Sequence, residues 1–185
     1  TSLVLAVEPT CTQSFSLNSL SVDQLPTLAP GASAGVTNYI FDPENIQAYI
    51  RHRLEIPLAT PLAPNGQVTV QINFGLILPV VGNFSDATSL CSQIYGYTTQ
   101  QVNLVDWYPF IVPYMTGKGW VLHNPWYYGE HLTYEAADFD VSVSFTDGSA
   151  PVIASSGEEV TSTTAISREF KIGAARTFAL SFATE

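Results

Sequence analysis

The sequence has little charge of either sign, and very little positive charge. Only 12% of its 185 residues are charged, where an ordinary globular chain has about 25%. Six Lys and Arg stand against sixteen Asp and Glu, for a formal net charge of -10. Without a basic stripe we expect neither a nucleic-acid partner nor docking on an anionic membrane. Because 46% of the residues are hydrophobic, disorder is not expected either.

Long apolar runs and clustered cysteines are missing as well. No apolar run reaches the length of about 18 residues that a membrane-spanning helix needs, so we predict no membrane span. The uncharged, Ser- and Thr-rich composition predicts an exported, cell-surface or extracellular protein. The sequence starts at Thr1 without a basic leader, so we expect any export signal to have been cleaved or to lie outside this sequence. Cys11 and Cys91 form either one disulfide or two separate thiols, and no CxxC spacing suggests a metal site.

The common catalytic motifs are absent. Residues 129–135 give the nearest approach to H-E-x-x-H, with one His and no second His at a ligand spacing, and no G-x-S-x-G elbow occurs. A three-His site would need long-range convergence of His52, His123 and His131. A glycosidase-type pair would need two carboxylates at a fixed separation, drawn from Asp106, Glu130, Glu135, Asp138 and Asp140. The enzymatic alternative is therefore a small β-fold hydrolase that uses Glu130, His131 and Asp138.

Period-two alternation is the main structural signal. In residues 139–145 four large apolar side chains alternate with Asp and Ser, as in a half-buried antiparallel strand. Asp138 and Asp140 then share the outer face of this strand, either as a solvated surface or as a contact for a cation or partner. The same alternation predicts strands at residues 3–7, 50–57, 68–74 and 178–182. We predict an all-β fold, an antiparallel sandwich, over residues 1–185 as a single domain.

Turn and loop signals separate these strands. Pro64-Asn65-Gly66 and Asp147-Gly148 are turn sequences with residues that tolerate positive φ. Residues 23–38 are rich in Pro, Ala, Gly and Ser, which predicts a loop, and residues 42–49 suit one or two helical turns. Residues 79–128 are predicted to form a long Pro- and aromatic-rich loop.

The aromatic segment is the most distinctive feature, because all three tryptophans lie between residues 107 and 126. Tryptophan and tyrosine provide large contact areas at low entropic cost. The segment is either an interface for a partner or a loop that packs with its own rings. Our candidate interface or cleft residues are Trp107, Tyr108, Trp120, Trp126, Tyr127 and Glu130.

Several segments in succession resemble the N-terminal domain of the aminopeptidase N-like zinc metallopeptidases, the gluzincin aminopeptidases, in their bacterial form. They cover about two-thirds of the chain. Residues 61–70 are similar to the family's segment "pL.PG..v.v", which leads into a strand. Trp107-Tyr108-Pro109 with Gly119-Trp120 is similar to its "WyP…gW" stretch. Three more segments resemble family strands: residues 129–141 ("GE…Y..ADF.V"), 153–157 ("v.AasG") and 175–181 ("aRtFafs").

The resemblance implies a saddle-like β-sandwich that precedes a thermolysin-like catalytic domain. That domain carries the family's H-E-x-x-H and G-x-M-E-N motifs, which these 185 residues lack. The implied chain is a noncatalytic fragment with no cofactor of its own, and zinc is expected only in the catalytic domain. Its partner is that domain, with peptide substrate contacted indirectly, and Gln100 or Gln101 is the candidate contact for the substrate's amino group. The alternative is a carbohydrate- or protein-binding β-sandwich that uses exposed Trp and Tyr.

Overall fold

The protein is an all-β chain with antiparallel sheets. The computed structural model describes residues 2–7, 15–23, 25–28, 36–40, 50–58, 60–78, 80, 96–105, 107–121, 135–164 and 166–183. Strands hold well over half of this part, which contains no helix; ordinary globular proteins have about 20–25% strand. The predicted all-β fold class is therefore confirmed.

The strands run as follows: β1 (Ser2–Val7), β2 (Phe15–Val22), β3 (Leu25–Leu28), β4 (Val36–Ile40), β5 (Ile50–Pro57), β6 (Val70–Leu76), β7 (Gly96–Tyr97), β8 (Gln101–Leu104), β9 (Phe110–Ile111), β10 (Tyr114–Met115), β11 (Gly119–Trp120), β12 (Ala137–Ser144), β13 (Val152–Ser155), β14 (Glu158–Thr164), β15 (Ser167–Ala175) and β16 (Leu180–Ala183).

The contacts divide the chain into two compact units. The first unit is Thr1–Leu78 with Tyr108–Thr133, and the second is Pro79–Trp107 with Tyr134–Glu185. The prediction that residues 1–185 form one folding domain stays a prediction, which a single cooperative unfolding transition would support.

The first unit has two main sheets, ordered β4-β5-β1-β9 and β3-β2-β6, and the small hairpin β10-β11. Leu3 and Leu5 of β1, Ile56 of β5 and Leu20 of β2 form one buried cluster between the two main sheets. Each such side chain stabilises the fold by about 1.5–3 kcal/mol relative to an exposed one. A register shift between Leu17 and Ser19 places Leu17 as well as Leu20 against the core, as a β-bulge does.

The second unit has sheets ordered β12-β15-β14 and β13-β16-β8-β7. Its core includes Phe170, Leu180 and Phe178, of which Phe178 is fully buried. Phe178 packs against Phe139 of β12 with ring centroids 5.7 Å apart, so the chain leading into β16 reaches the other sheet of this unit. The predicted inward face of β12 is confirmed, since Phe139, Val141 and Val143 are less exposed than the residues between them.

Two predictions are corrected. Residues 23–38 are not one loop, because β3 and the start of β4 lie within them and pair with β2 and β5. These strands were missed because they are short and lie among Pro and Gly residues, which are typical of loops. Residues 79–128 are not only a loop, since β7 to β11 lie there as short strands. The helical turns suggested for residues 42–49 lie outside the described residues.

Candidate functional site

The described part of the aromatic segment is residues 107–121, and from Tyr108 onward it belongs to the first unit, where its own apolar side chains anchor it. Phe110 and Ile111 of β9 pair with Ala6 and Leu5 of β1, which makes the segment an extension of a core sheet. Val112, 1% exposed, packs against Phe110 and Trp120. The segment is therefore a structural part of the first sandwich.

Trp120 belongs to the core side of this arrangement. It is half-buried and packs against the main buried cluster of the first unit. We predicted it as an interface residue; in the structure it packs against both the main cluster and Val112. Trp107 and Tyr108 are also half-buried.

The hairpin β10-β11 projects from this anchored base. Tyr114 pairs with Trp120 and Met115 with Gly119, and the Lys118 N–H donates to the Met115 carbonyl at 3.0 Å. Gly117 has φ +83°, a left-handed conformation that favours glycine at this tip. The resulting turn exposes Lys118 at the end of the hairpin.

Three apolar side chains of this segment face outward. Tyr114 is 63%, Ile111 56% and Met115 47% exposed, and we call them the exposed apolar trio. The Tyr114 ring lies edge-on to Trp120, with centroids 5.1 Å apart, so the half-buried tryptophan orients the exposed tyrosine. Such surfaces on ordered segments are frequent at protein contacts. The sequence placed Tyr114 in an aromatic cluster, but only the three-dimensional packing shows which apolar side chains are exposed.

Gln100 and Gln101 lie in the second unit and are both exposed. The Gln101 amide nitrogen on β8 donates to Asn103 Oδ1 at 2.7 Å and to Ser181 Oγ at 2.9 Å. The Gln100 backbone N–H donates to Thr98 Oγ1 at 3.1 Å, in the turn before β8. Gln101 is thus part of a hydrogen-bonded polar sheet face. Its carbonyl oxygen is the atom that a substrate amine would need, and the amine-contact role stays a prediction.

The carboxylates of β12 have separate structural partners. Asp138 Oδ1 accepts the Ala174 N–H at 2.9 Å, across the register shift between Ala137 and Phe139. Asp140 lies opposite Lys171 of β15, and their charged atoms are 2.9 Å apart. The hydrogen bond from Lys171 lowers the pKa of Asp140. A general acid needs the opposite shift, so Asp140 is suited to an ion pair and not to proton donation at neutral pH.

Lys171 is the central cation of this outer face, and we did not predict its role from the sequence. It also contacts Glu169 at 2.9 Å, and it pairs across the ladder with Glu158 of β14. An open groove of about 590 Å³ follows the face, lined by Asp138, Phe139, Asp140, Ser156, Glu158, Lys171, Ile172 and Gly173. We did not predict β15, although Glu169 and Lys171 alternate there with Phe170 and Ile172. The small residues at positions 173–175 weakened the signal.

The remaining candidates divide between described and undescribed parts. Glu135 is exposed, and His52 lies in β5 opposite Val7. Among the described residues, no three His, Cys, Asp or Glu side chains come together as a metal site. The following predicted residues lie outside the described residues: Cys11, Cys91, Asp106, His123, Trp126, Tyr127, Glu130 and His131.

Comparisons with known proteins give no relative. No family model, no curated protein and no solved structure matches this chain. In the part of the chain that the structure describes, there is also no helix of the length and hydropathy that would cross a membrane.

Proposed function

We propose that this chain is the noncatalytic N-terminal module of an aminopeptidase N-like metallopeptidase and that its exposed apolar trio packs against the catalytic domain. The resemblance of the sequence segments suggests the family, and one structural observation carries the choice of surface. Ile111, Tyr114 and Met115 are exposed on a segment whose other apolar residues, Val112 and Trp120, are buried or half-buried.

The physical role would be that of a preformed wall. Because β9 is hydrogen-bonded to β1 and the hairpin is held by Trp120, the trio is already ordered before any partner binds. A preorganised surface loses little conformational entropy on docking. Such a wall beside a substrate cleft would restrict which chain ends reach the catalytic residues, without supplying a catalytic group.

The binding-module alternative receives less support from the rings. It needs a row of exposed aromatic side chains, whereas Trp107 and Trp120 are half-buried and Trp120 packs into the core. Tyr114 is the well-exposed ring of the described segment. A single ring gives one stacking contact, so we propose a protein interface in preference to a sugar platform.

The test begins with the coding sequence that follows Glu185. We expect the reading frame to continue into H-E-x-x-H and the longer product to bind zinc and hydrolyse aminoacyl-nitroanilides. Residues 1–185 alone, incubated with zinc, should show no turnover above a metal-only control. A stop codon directly after Glu185, or turnover by residues 1–185, would contradict the proposal.

Hydrogen exchange then tests the surface itself. The backbone N–H groups of Ile111, Val112, Tyr114 and Met115 should exchange more slowly in the longer product than in residues 1–185. The double variant Tyr114→Ser, Met115→Ser should remove that difference. Val152→Ser is the matched control, because Val152 is a 69% exposed apolar residue of the second unit and its replacement should leave the protection unchanged.

A further inference from the structure

The turn at residues 63–66 brings together two residues whose combination is chemically reactive. Asn65 has φ +62°, and the Gly66 N–H donates to the Ala63 carbonyl at 2.8 Å. Pro64 precedes Asn65, as expected for a turn with Pro at its second position and a positive φ at its third. All four residues are exposed.

The turn geometry itself favours this dipeptide. Asparagine is among the few residues other than glycine that adopt positive φ readily. At Gly66 a Cβ atom would lie 2.9 Å from the Ala63 oxygen and 3.0 Å from Leu62 Cδ1, so a side chain does not fit. The absence of that side chain also leaves the Gly66 nitrogen unshielded, and Asn65 is the sole asparagine of the sequence that precedes glycine.

We infer that Asn65 is a site of spontaneous deamidation, and that opening of the Ala63–Gly66 hydrogen bond limits its rate. In this reaction the Gly66 nitrogen attacks Cγ of Asn65 and the N–Cγ bond forms. The bond from Cγ to Nδ2 breaks, and ammonia leaves with the former Gly66 amide proton. Water then opens the cyclic imide to aspartate or isoaspartate.

The hydrogen bond opposes the first step. Attack requires rotation about ψ of Asn65, which carries the Gly66 N–H away from the Ala63 oxygen. The folded turn should therefore react more slowly than the same residues in an unfolded peptide, by roughly tenfold for one such bond.

The product would alter the first unit locally. Isoaspartate lengthens the backbone by one methylene in a turn that leads directly to Val68, which packs against the core cluster. Thr69 follows, held by the Asp23 carboxylate at 2.9 Å. Asp147-Gly148 of the second unit is a comparable dipeptide that should react more slowly than Asn65-Gly66. The Asp147 carboxylate accepts the Ser149 N–H at 2.9 Å, and a carboxylate is a poorer electrophile than an amide.

Peptide mapping by mass tests the inference. The chain and a synthetic peptide of residues 60–70 are incubated at mildly alkaline pH, and the mass gain of deamidation is followed with an isoaspartate assay. We expect the gain to appear first at Asn65, roughly tenfold more slowly in the folded chain than in the peptide. Pro64→Ala, which loosens the turn, should raise the rate in the folded chain.

Asn65→Gly is the matched control, because glycine accepts the positive φ and has no amide to lose. It should show no mass gain in the peptide that contains position 65. Equal rates in the folded chain and the synthetic peptide, or a first mass gain at any other asparagine, would overturn the inference. The result does not depend on the proposed metallopeptidase function, so each can fail alone.

Discussion

The two units have the same construction, two antiparallel sheets around an apolar core, but one described outer face in each unit differs from the other. In the first unit, the outer face of β2 and β6 is linked by uncharged groups, with Asn18 to Asn73 at 3.1 Å and Ser21 to Gln71 at 3.2 Å. In the second unit, ion pairs centred on Lys171 and Arg168 link the strands. Ten of the sixteen acidic residues fall in the second unit, while the six basic residues are shared equally.

This difference shows that sheet architecture does not dictate surface chemistry. Amide and hydroxyl pairs do not titrate near neutral pH, whereas carboxylate pairs respond to both acid and salt. We therefore expect the second unit to depend on solution conditions more than the first. Both units expose apolar side chains, and in the first unit the apolar trio lies on one segment, which suits contact with another protein surface.

The largest effect should follow from Phe178→Ala in the second unit. Phe178 is fully buried and contacts Phe139, so truncation leaves a cavity and should cost about 3–5 kcal/mol of unfolding free energy. Urea denaturation measures the loss, and hydrogen exchange should show it first in β12 and β16. A loss below about 1 kcal/mol, the size of an average substitution, would contradict this core.

Ile56→Ala tests the first unit in the same way. Ile56 is 0% exposed in the cluster of Leu3, Leu5 and Leu20, and its truncation should cost about 2–5 kcal/mol. Ile56→Val is the control, with an expected loss of about 0.5–1.5 kcal/mol. If each variant lowers a separate denaturation transition, the units unfold independently; one shared transition would support the predicted single domain.

Ala174→Gly should stabilise the second unit slightly. Ala174 has φ +51°, which costs a residue with a Cβ about 1–2 kcal/mol, while glycine gains more unfolded-state entropy. We expect a net gain of up to about 1 kcal/mol in urea denaturation. Asp138→Ala is the companion variant, and it should destabilise because the Ala174 N–H loses its acceptor.

The stability of the charged outer face of the second unit should depend on pH, whereas that of the uncharged face of β2 and β6 should not. Hydrogen bonding by Lys171 lowers the pKa of Asp140, and Arg168 lowers the pKa of Glu159. Both carboxylates therefore stabilise the fold above their unfolded pKa values, and this contribution is lost as the pH falls through the lower folded values. The pKa of Lys171 is raised, chiefly by Asp140, so its contribution is lost only as the pH rises through the raised folded value.

Glu159→Gln isolates one of these pairs. Glu159 accepts two hydrogen bonds from Arg168, one of them at 2.6 Å from Nε. The variant should flatten the acid side of the stability profile, measured by thermal unfolding between neutral and acidic pH. Gln71→Ala on the first unit is the control and should leave the shape of that profile unchanged.

The smallest effect is expected from the exposed trio. Ile111→Thr and Met115→Ser should each change the unfolding free energy by no more than about 0.5 kcal/mol, since both side chains are largely exposed. A loss above about 2 kcal/mol would mean that the side chains support the fold. The trio would then be a poor candidate for a docking surface.

Much of the strand content was predictable from short-range patterns. β5 matches the predicted residues 50–57, Leu3 and Leu5 of β1 are buried, and β12 has the expected less exposed face, because period-two alternation reflects a sheet with one apolar side. β15 escaped prediction, since Gly173 and the alanines after it blur its alternation. β8 and β9 pair with the distant strands β16 and β1, and a local pattern does not contain that information. β7, β10 and β11 pair with neighbouring strands but are only two residues long, too short for an alternation to be seen.

The candidate site was predictable only in part. Residue types identified the aromatic segment, but Trp120, a predicted interface residue, packs against the core, and the exposed Ile111 was not singled out. Only the three-dimensional packing decides both, since Ile111 pairs with the buried Leu5 and is nevertheless 56% exposed. The Asp140–Lys171 contact likewise joins residues 31 positions apart, through the register of β12 and β15.

The sequence by itself determined the all-β class, the turn at Pro64-Asn65-Gly66 and the acidic, weakly charged composition, since these depend on local backbone preferences and on residue counts. Only the tertiary structure decided the division into two units, the exposure of Ile111, Tyr114 and Met115, and the ion pairs of Lys171. Those features arise from strand order and register, which depend on the packing of residues far apart in the chain.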